Sequence, residues 1–264
     1  MVSGEKGVRH LLPERPGGCF AQKVPDPFFA AGWLLPAVLS TTAGAVDIIG
    51  FLALGGLFTA HITGNVVILA AHYVVGGFSE VGPVLSVPVF VAVLGAVTLA
   101  SGAIEKVGYS SRRPLLVLQA ALLAVCLGLG VGFGPFDDSD RPMAVLVGML
   151  GVAAMATQGA LVKLALPGAP STAVMTTNTT QLIVDLATLA RGLRGPDDLS
   201  RARRRASVTG SCVVAFVAGC AAGAVFEVHF GLWALVLPVA LAVIAVPLGE
   251  LRRHEHATQP ASNG

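Results

Sequence analysis

Apolar residues run along this chain in long blocks separated by short polar breaks. The blocks are Phe28–Leu54, Pro83–Ile104, Pro114–Phe133, Pro142–Val162, Ala206–Phe226 and Gly231–Leu248. Each is near the ~20 residues a helix needs to cross the hydrocarbon core of a bilayer. The only charged residue inside any of them is Asp47. Two further helical patterns differ: Asn65–Val75 is too short to span, and Asn178–Leu193 carries Gln181, Asp185 and Arg191. The pattern predicts an all-α polytopic membrane protein with about six transmembrane helices and two short helices.

The two short patterns are introduced by related text. The first copy reads Gly55-Gly56-Leu57-Phe58-Thr59-Ala60-His61-Ile62-Thr63-Gly64-Asn65, and the second Gly168-Ala169-Pro170-Ser171-Thr172-Ala173-Val174-Met175-Thr176-Thr177-Asn178. Each follows an apolar block holding one strongly polar residue, Asp47 in the first and Gln158 in the second. Backbone-breaking polar text at membrane depth is costly unless it lines a cavity or is buried in protein. Its duplication points to a repeated fold with a working site where the copies meet. Ala100–Glu105 and Ala222–Glu227 echo each other weakly, with one insertion.

Loop charge sets the topology. If both short segments crossed, the Lys106/Arg112/Arg113 loop would lie outside and the Asp137/Asp138/Asp140 loop inside, against the positive-inside tendency. If both dip in and return, the N-terminal tail, that basic loop, the Arg191–Arg205 loop and Arg252/Arg253 all lie inside. The expectation is therefore six spans plus two re-entrant half helices, with the N- and C-termini cytoplasmic in the cell (inner) membrane. Three crossings per copy make the copies antiparallel, an inverted 3+3 repeat spanning about 30–135 and 141–250. Residues 1–29 read as a mobile cytoplasmic tail rather than a cleaved signal, because apolar text runs on past Asp47, and 251–264 read as a disordered tail.

Composition agrees. Of 264 residues, 54% are hydrophobic and 12% charged, against about 25% charged in a soluble domain. The net charge of +2 carries no nucleic-acid signal. Cys19, Cys126, Cys212 and Cys220 lack metal or redox spacing, His254-x-His256 is too sparse for a metal site, and no cofactor fingerprint occurs. Small residues at Ser40/Gly44 and Gly219/Gly223 suit close helix packing, and Pro36, Pro88 and Pro238 fall where they would kink spans. Trp33 and Trp233 stand where interfacial anchors do.

The text Gly44-Ala45-Val46-Asp47-Ile48-Ile49-Gly50-Phe51, followed by Phe58 and Thr63-Gly64-Asn65, resembles the YoaK-like family of multi-span bacterial membrane proteins (domain of unknown function family 1275). The second half is similar through Gln158 and Thr176-x-Asn178, where Thr177 replaces the more usual glycine. The resemblance covers about 30–250 and implies an integral inner-membrane protein, without a substrate or reaction.

The candidate pathway residues are Asp47, His61, Thr63, Gly64, Asn65, Gln158, Thr176 and Asn178. Thr63 and Asn65 open a short helix, where they serve either as caps or as donors at a positively polarised half-helix end. The cluster Thr176–Thr180 has more polar groups than caps require, which favours a wet cavity. Asp47 is either a coupling carboxylate or an uncharged group bonded to backbone, with His61 as candidate partner. Asp185 reads as part of a solvated face, Glu105 and Glu227 as boundary residues, and Arg201–Arg205 as an orientation signal with affinity for anionic lipid. No nucleophile or metal set supports an enzyme. A channel or secondary transporter for a small solute, with Asp47 as coupling group, stands against a structural or assembly protein. The one firm partner is the lipid bilayer; the oligomeric state stays open.

Overall fold

In the computed structural model, residues 33–75, 81–192 and 195–257 are described, with side chains to residue 250. The stretch expected as an N-terminal tail lies outside them. Eight α-helices follow in order: α1 Leu34–Ala53, α2 Ile62–Val75, α3 Val81–Lys106, α4 Arg112–Phe133, α5 Pro142–Ala165, α6 Met175–Arg191, α7 Pro196–Phe230 and α8 Val236–Ala257. A short 3-10 turn, Gly231–Leu235, joins the last two. No strand occurs among the described residues.

Six of these helices coincide with the apolar blocks, and α2 and α6 with the two short patterns. Two boundaries differ. α7 begins ten residues before the expected span and carries the arginine run on its first turns. Gly195 before Pro196, with Asp197 and Asp198 in the first turn, is a strong helix start. At 35 residues, about 52 Å, α7 is far longer than a ~30 Å hydrocarbon core and projects beyond it. α8 likewise runs to Ala257, into the stretch expected as a disordered tail, because Leu251-Arg252-Arg253 follow an unbroken helix with good helix formers. The prolines also differ in effect. Pro36 and Pro238 fall in first turns, where no N–H is missed, whereas Pro88 lies inside α3 and Pro247 inside α8.

The packing is paired. α1 lies against α7 as α5 lies against α3; α4 contacts α5 as α8 contacts α1; α2 rests on α3 as α6 rests on α7. α1 and α5 form the centre, with 72% of each apolar window buried, against 17% for α3 and 33% for α4. The outer helices turn Val91, Leu99, Val125, Val214 and Ile244 outward. That apolar exterior suits lipid tails, not water.

Three apolar clusters stack along the bundle. Leu35, Leu39, Leu116, Leu161 and Leu166 close one end, Ala43, Val46, Leu123 and Ala154 the middle, and Leu54, Leu57, Val147, Leu232 and Leu235 the other end. The broken segments are placed by these clusters. α1 ends at the Leu54 end, and α3 starts there too, with Val81 N–H donating to Asp140 Oδ1 at 2.7 Å and Gly82 beside Leu57. Between them the chain turns inward, so that Thr59 reaches Gly151 and Gly50 inside the bundle. The second break does the same from the opposite end. Arg112 donates to Ala165 O at the end of α5, and Thr172 then turns inward to Gln158.

α1 and α7 touch backbone to backbone. A Cβ on Gly44 would lie 2.3 Å from Phe216 O, and one on Gly219 2.2 Å from Thr41 O. The small-residue pattern is thus a contact in fact, bringing helices together where no hydrophobic force acts within lipid.

Candidate solute site

Asp47 sits in the interior half of α1, 4% exposed. The loop after α1 wraps onto it. Its Oδ1 accepts from Thr59 N–H (2.8 Å), Ala60 N–H (2.7 Å) and the Thr59 hydroxyl (3.2 Å). Its Oδ2 faces His61 Nδ1 at 2.5 Å. The Thr59 and Ala60 N–H groups are backbone donors that the helix break frees from regular pairing, so the carboxylate substitutes for the missing helix.

The second copy repeats the arrangement with a neutral group. Gln158, 1% exposed on α5, donates from Nε2 to Thr172 Oγ1 (2.8 Å) and Leu39 O (3.0 Å), and its Oε1 accepts from Gln119 Nε2 (2.6 Å). Thr59 and Thr172 stand six residues before Asn65 and Asn178 respectively. In both halves, then, the polar residue on the central helix holds the same loop threonine. The site residues missed from the sequence are Thr59, Ser86, Gln119 and Thr172. Three of them carry a signal in the sequence: Gln119 is an isolated amide in an apolar block, and the two threonines share one position in the duplicated text.

Asn65 and Asn178 are clamps, not caps. α2 starts at Ile62, so Asn65 lies within its first turn and reaches back. Its Oδ1 accepts from Phe58 N–H (2.9 Å), and its Nδ2 donates to Phe58 O (2.7 Å) and Ser86 Oγ (2.8 Å). Asn178 Nδ2 donates to Ser171 O, again seven residues earlier, at 2.6 Å. Both asparagines are buried, at 0% and 3% exposed. The exchange of Gly64 for Thr177 is explained here. A Cβ on Gly64 would meet the Phe58 ring at 2.9 Å, and the residue in the place of Phe58 in the second copy is the small Ser171.

The structure brings Asp47, His61, Thr63 and Gly64 together and leaves the second motif apart. A cleft of about 420 Å³ opens between α1, α2 and α7, lined by those four with Phe58, Phe216 and Cys220. The His61 side chain is 34% exposed there and meets the Phe216 ring edge-on at 5.5 Å. Thr176, Thr177, Thr179 and Thr180 instead lie on the exposed face of α6, with Asn178 alone turned inward. No hydrogen bond among the described residues joins the two Thr-x-Asn motifs. Asp185 differs from its reading as a solvated residue: it is 0% exposed, paired with Arg205 at 2.5–3.2 Å and with Gln181 at 3.1 Å, because α7 extends far enough to lay the arginine beside it. Among the described residues, no cluster of His, Cys, Asp or Glu is arranged to hold a metal ion.

The clamps carry a direct expectation. Asn65→Ala strips partners from two half-buried backbone groups of Phe58 and from the buried Ser86, and should lower stability by about 2–3 kcal/mol in mixed-micelle unfolding. Asn178→Ala, with one backbone bond to lose, should cost about half as much. Equal, negligible losses would show that both loops hold without their asparagines.

Comparison with known proteins agrees with the resemblance read at Gly44–Asn65. Residues 35–248 match the family described as "Protein of unknown function (DUF1275)". The chain is also 32% identical over 165 residues to UPF0700 transmembrane protein YoaK of Bacillus subtilis (strain 168), a match covering 58% of this chain and 66% of that protein. No solved structure matches. With a match that runs through both duplicated segments and a bundle built of apolar helices around Asp47 and Gln158, the chain belongs to the DUF1275 family and is a polytopic helical membrane protein.

Proposed function

We propose that this protein is a channel or secondary transporter for a small solute, with no catalytic activity of its own. It lies in the cell (inner) membrane as an inverted 3+3 repeat, with six crossings, two re-entrant segments and cytoplasmic termini. Arg112 contacts Ala165 O and Gly249 O, and Arg113 pairs with Glu250, which gathers the basic loop and the ends of α5 and α8 at one face. Asp140 joins the start of α3 at the other face. By the positive-inside tendency, the face that gathers the basic loop is read as the cytoplasmic one. The paired helix contacts support a two-fold relation between halves.

The observation that carries the reading is the cleft at the first break, where a buried carboxylate holds a half-exposed imidazole. Ionisable groups within a membrane bundle are costly and generally serve a pathway. Solute contact falls to His61, Thr63 and the wall of the cleft, since Asn65 is occupied by backbone. That occupation favours the second reading, a structural or assembly protein, in which the broken segments only pack.

Cysteine accessibility separates the two. In a background lacking the four native cysteines, Thr63→Cys is probed in intact cells and inverted vesicles with a membrane-impermeant thiol reagent. Labelling from the outer face, at a rate comparable to a loop control at Asp138→Cys, is the expected result. Labelling of the control alone means a dry cleft and favours the structural protein.

A further inference from the structure

The two halves hold their loop threonines alike, yet among the described residues only the first does so with a titratable group, Asp47 paired with His61, where the second uses the neutral Gln158, and the two members of the pair are placed very differently. Asp47 Oδ1 accepts three donors, so that oxygen has no room for a proton of its own. The proton of the pair therefore lies between Oδ2 and His61 Nδ1. His61 Nε2 has no partner among the described residues, and the imidazole lines the cleft. The arrangement is that of a general base held by a buried carboxylate: one ring nitrogen is fixed, and the other is presented to whatever enters. Of titratable groups facing His61, Asp47 comes from α1 and Cys220 from α7, while the wall contributed by α2 consists of Thr63, Gly64 and Val67.

Building on the transport reading above, we infer that His61, and not Asp47, is the proton-exchanging residue of this site, with Asp47 as its positioning residue and the proton as coupling ion. In the step, an O–H of a hydronium ion or of an acidic solute in the cleft breaks, leaving water or the solute's conjugate base, and an N–H forms at Nε2. Nδ1–H stays bonded to Oδ2, and the pair passes from one net negative charge to none. Release to the other side reverses the transfer. The neutral Gln158 network cannot make this exchange, so the site is single and lies in the first half.

The test uses diethyl pyrocarbonate, which acylates a neutral imidazole nitrogen, on the full chain in nanodiscs, with His61 modification mapped by mass spectrometry. From about pH 5 to pH 9, His61 should react through one titration midpoint, and Asp47→Asn should move that midpoint by about one unit or more. Modification that does not vary with pH, or a midpoint unchanged in Asp47→Asn, overturns the assignment. If Asp47→Asn does not fold, His61→Gln decides in proteoliposomes, because glutamine keeps an N–H for Asp47 but cannot exchange a proton. Solute flux that keeps its pH dependence in His61→Gln overturns proton coupling and leaves transport standing. A titrating His61 with no flux of any solute overturns the transport reading and leaves the exchange site intact.

Discussion

Gly219→Ala is expected to separate α1 from α7 and to lower stability by about 3 kcal/mol or more. The added methyl would lie 2.2 Å from Thr41 O and 2.9 Å from Thr41 C, both backbone atoms that no rotamer change can move. Overpacking of a well-filled interface typically costs about 1–3 kcal/mol, and more where backbone must yield. Gly44 makes the same contact from the other helix, 2.3 Å from Phe216 O, so its alanine variant should behave alike. Gly102 in α3 is the control: nothing lies within 4 Å of its Cβ position, and Gly102→Ala should be neutral or stabilise by up to about 1 kcal/mol through helix propensity. Unfolding in mixed detergent micelles measures all three. A Gly219→Ala protein as stable as Gly102→Ala would mean that the two helices do not approach so closely.

Asp47→Ala should be the most damaging single change at the site. It leaves the Thr59 and Ala60 N–H groups without acceptors inside the bundle, and frees His61. Each buried unsatisfied donor costs about 1–3 kcal/mol, so a loss on the order of 3 kcal/mol or more is expected. Asp47→Asn keeps an oxygen in the place of Oδ1 and should retain much of that stability while losing the His61 pairing. The order wild type, then Asp47→Asn, then Asp47→Ala is therefore expected for melting in nanodiscs. An alanine variant as stable as the asparagine variant would show that the loop is held by its other contacts, Leu57 against Gly148 above all.

The same contrast shows how differently the elements were legible. Helix positions came through because transfer of a ~20-residue apolar block into lipid is a sum of local terms, little altered by what the block later touches. The start of α7 lies ten residues before the apolar block, because the helix signal Gly195-Pro196-Asp197-Asp198 precedes an arginine run whose charge reads equally as a loop. At the site, Asp47, His61, Gln158 and the two asparagines stood out as polar residues in apolar surroundings. Their roles did not, because a side-chain amide opening a helix reads equally as cap, clamp or ligand until its partner is known.

What the sequence determined by itself is the class of protein, the rough bounds of its apolar helices, the two breaks and the polar residues that mark them. Those follow from hydropathy and periodicity, which are properties of neighbours along the chain. What only the tertiary structure decided is who meets whom. Gln158 finds Leu39 O across 119 residues, Arg112 finds Gly249 O across 137, and Thr41 meets Gly219 on a helix from the other half. Such pairs depend on the rotation and depth at which two distant helices pack. That geometry is set by the fit of small residues and by the need to satisfy every buried polar group, and no window along one helix contains it.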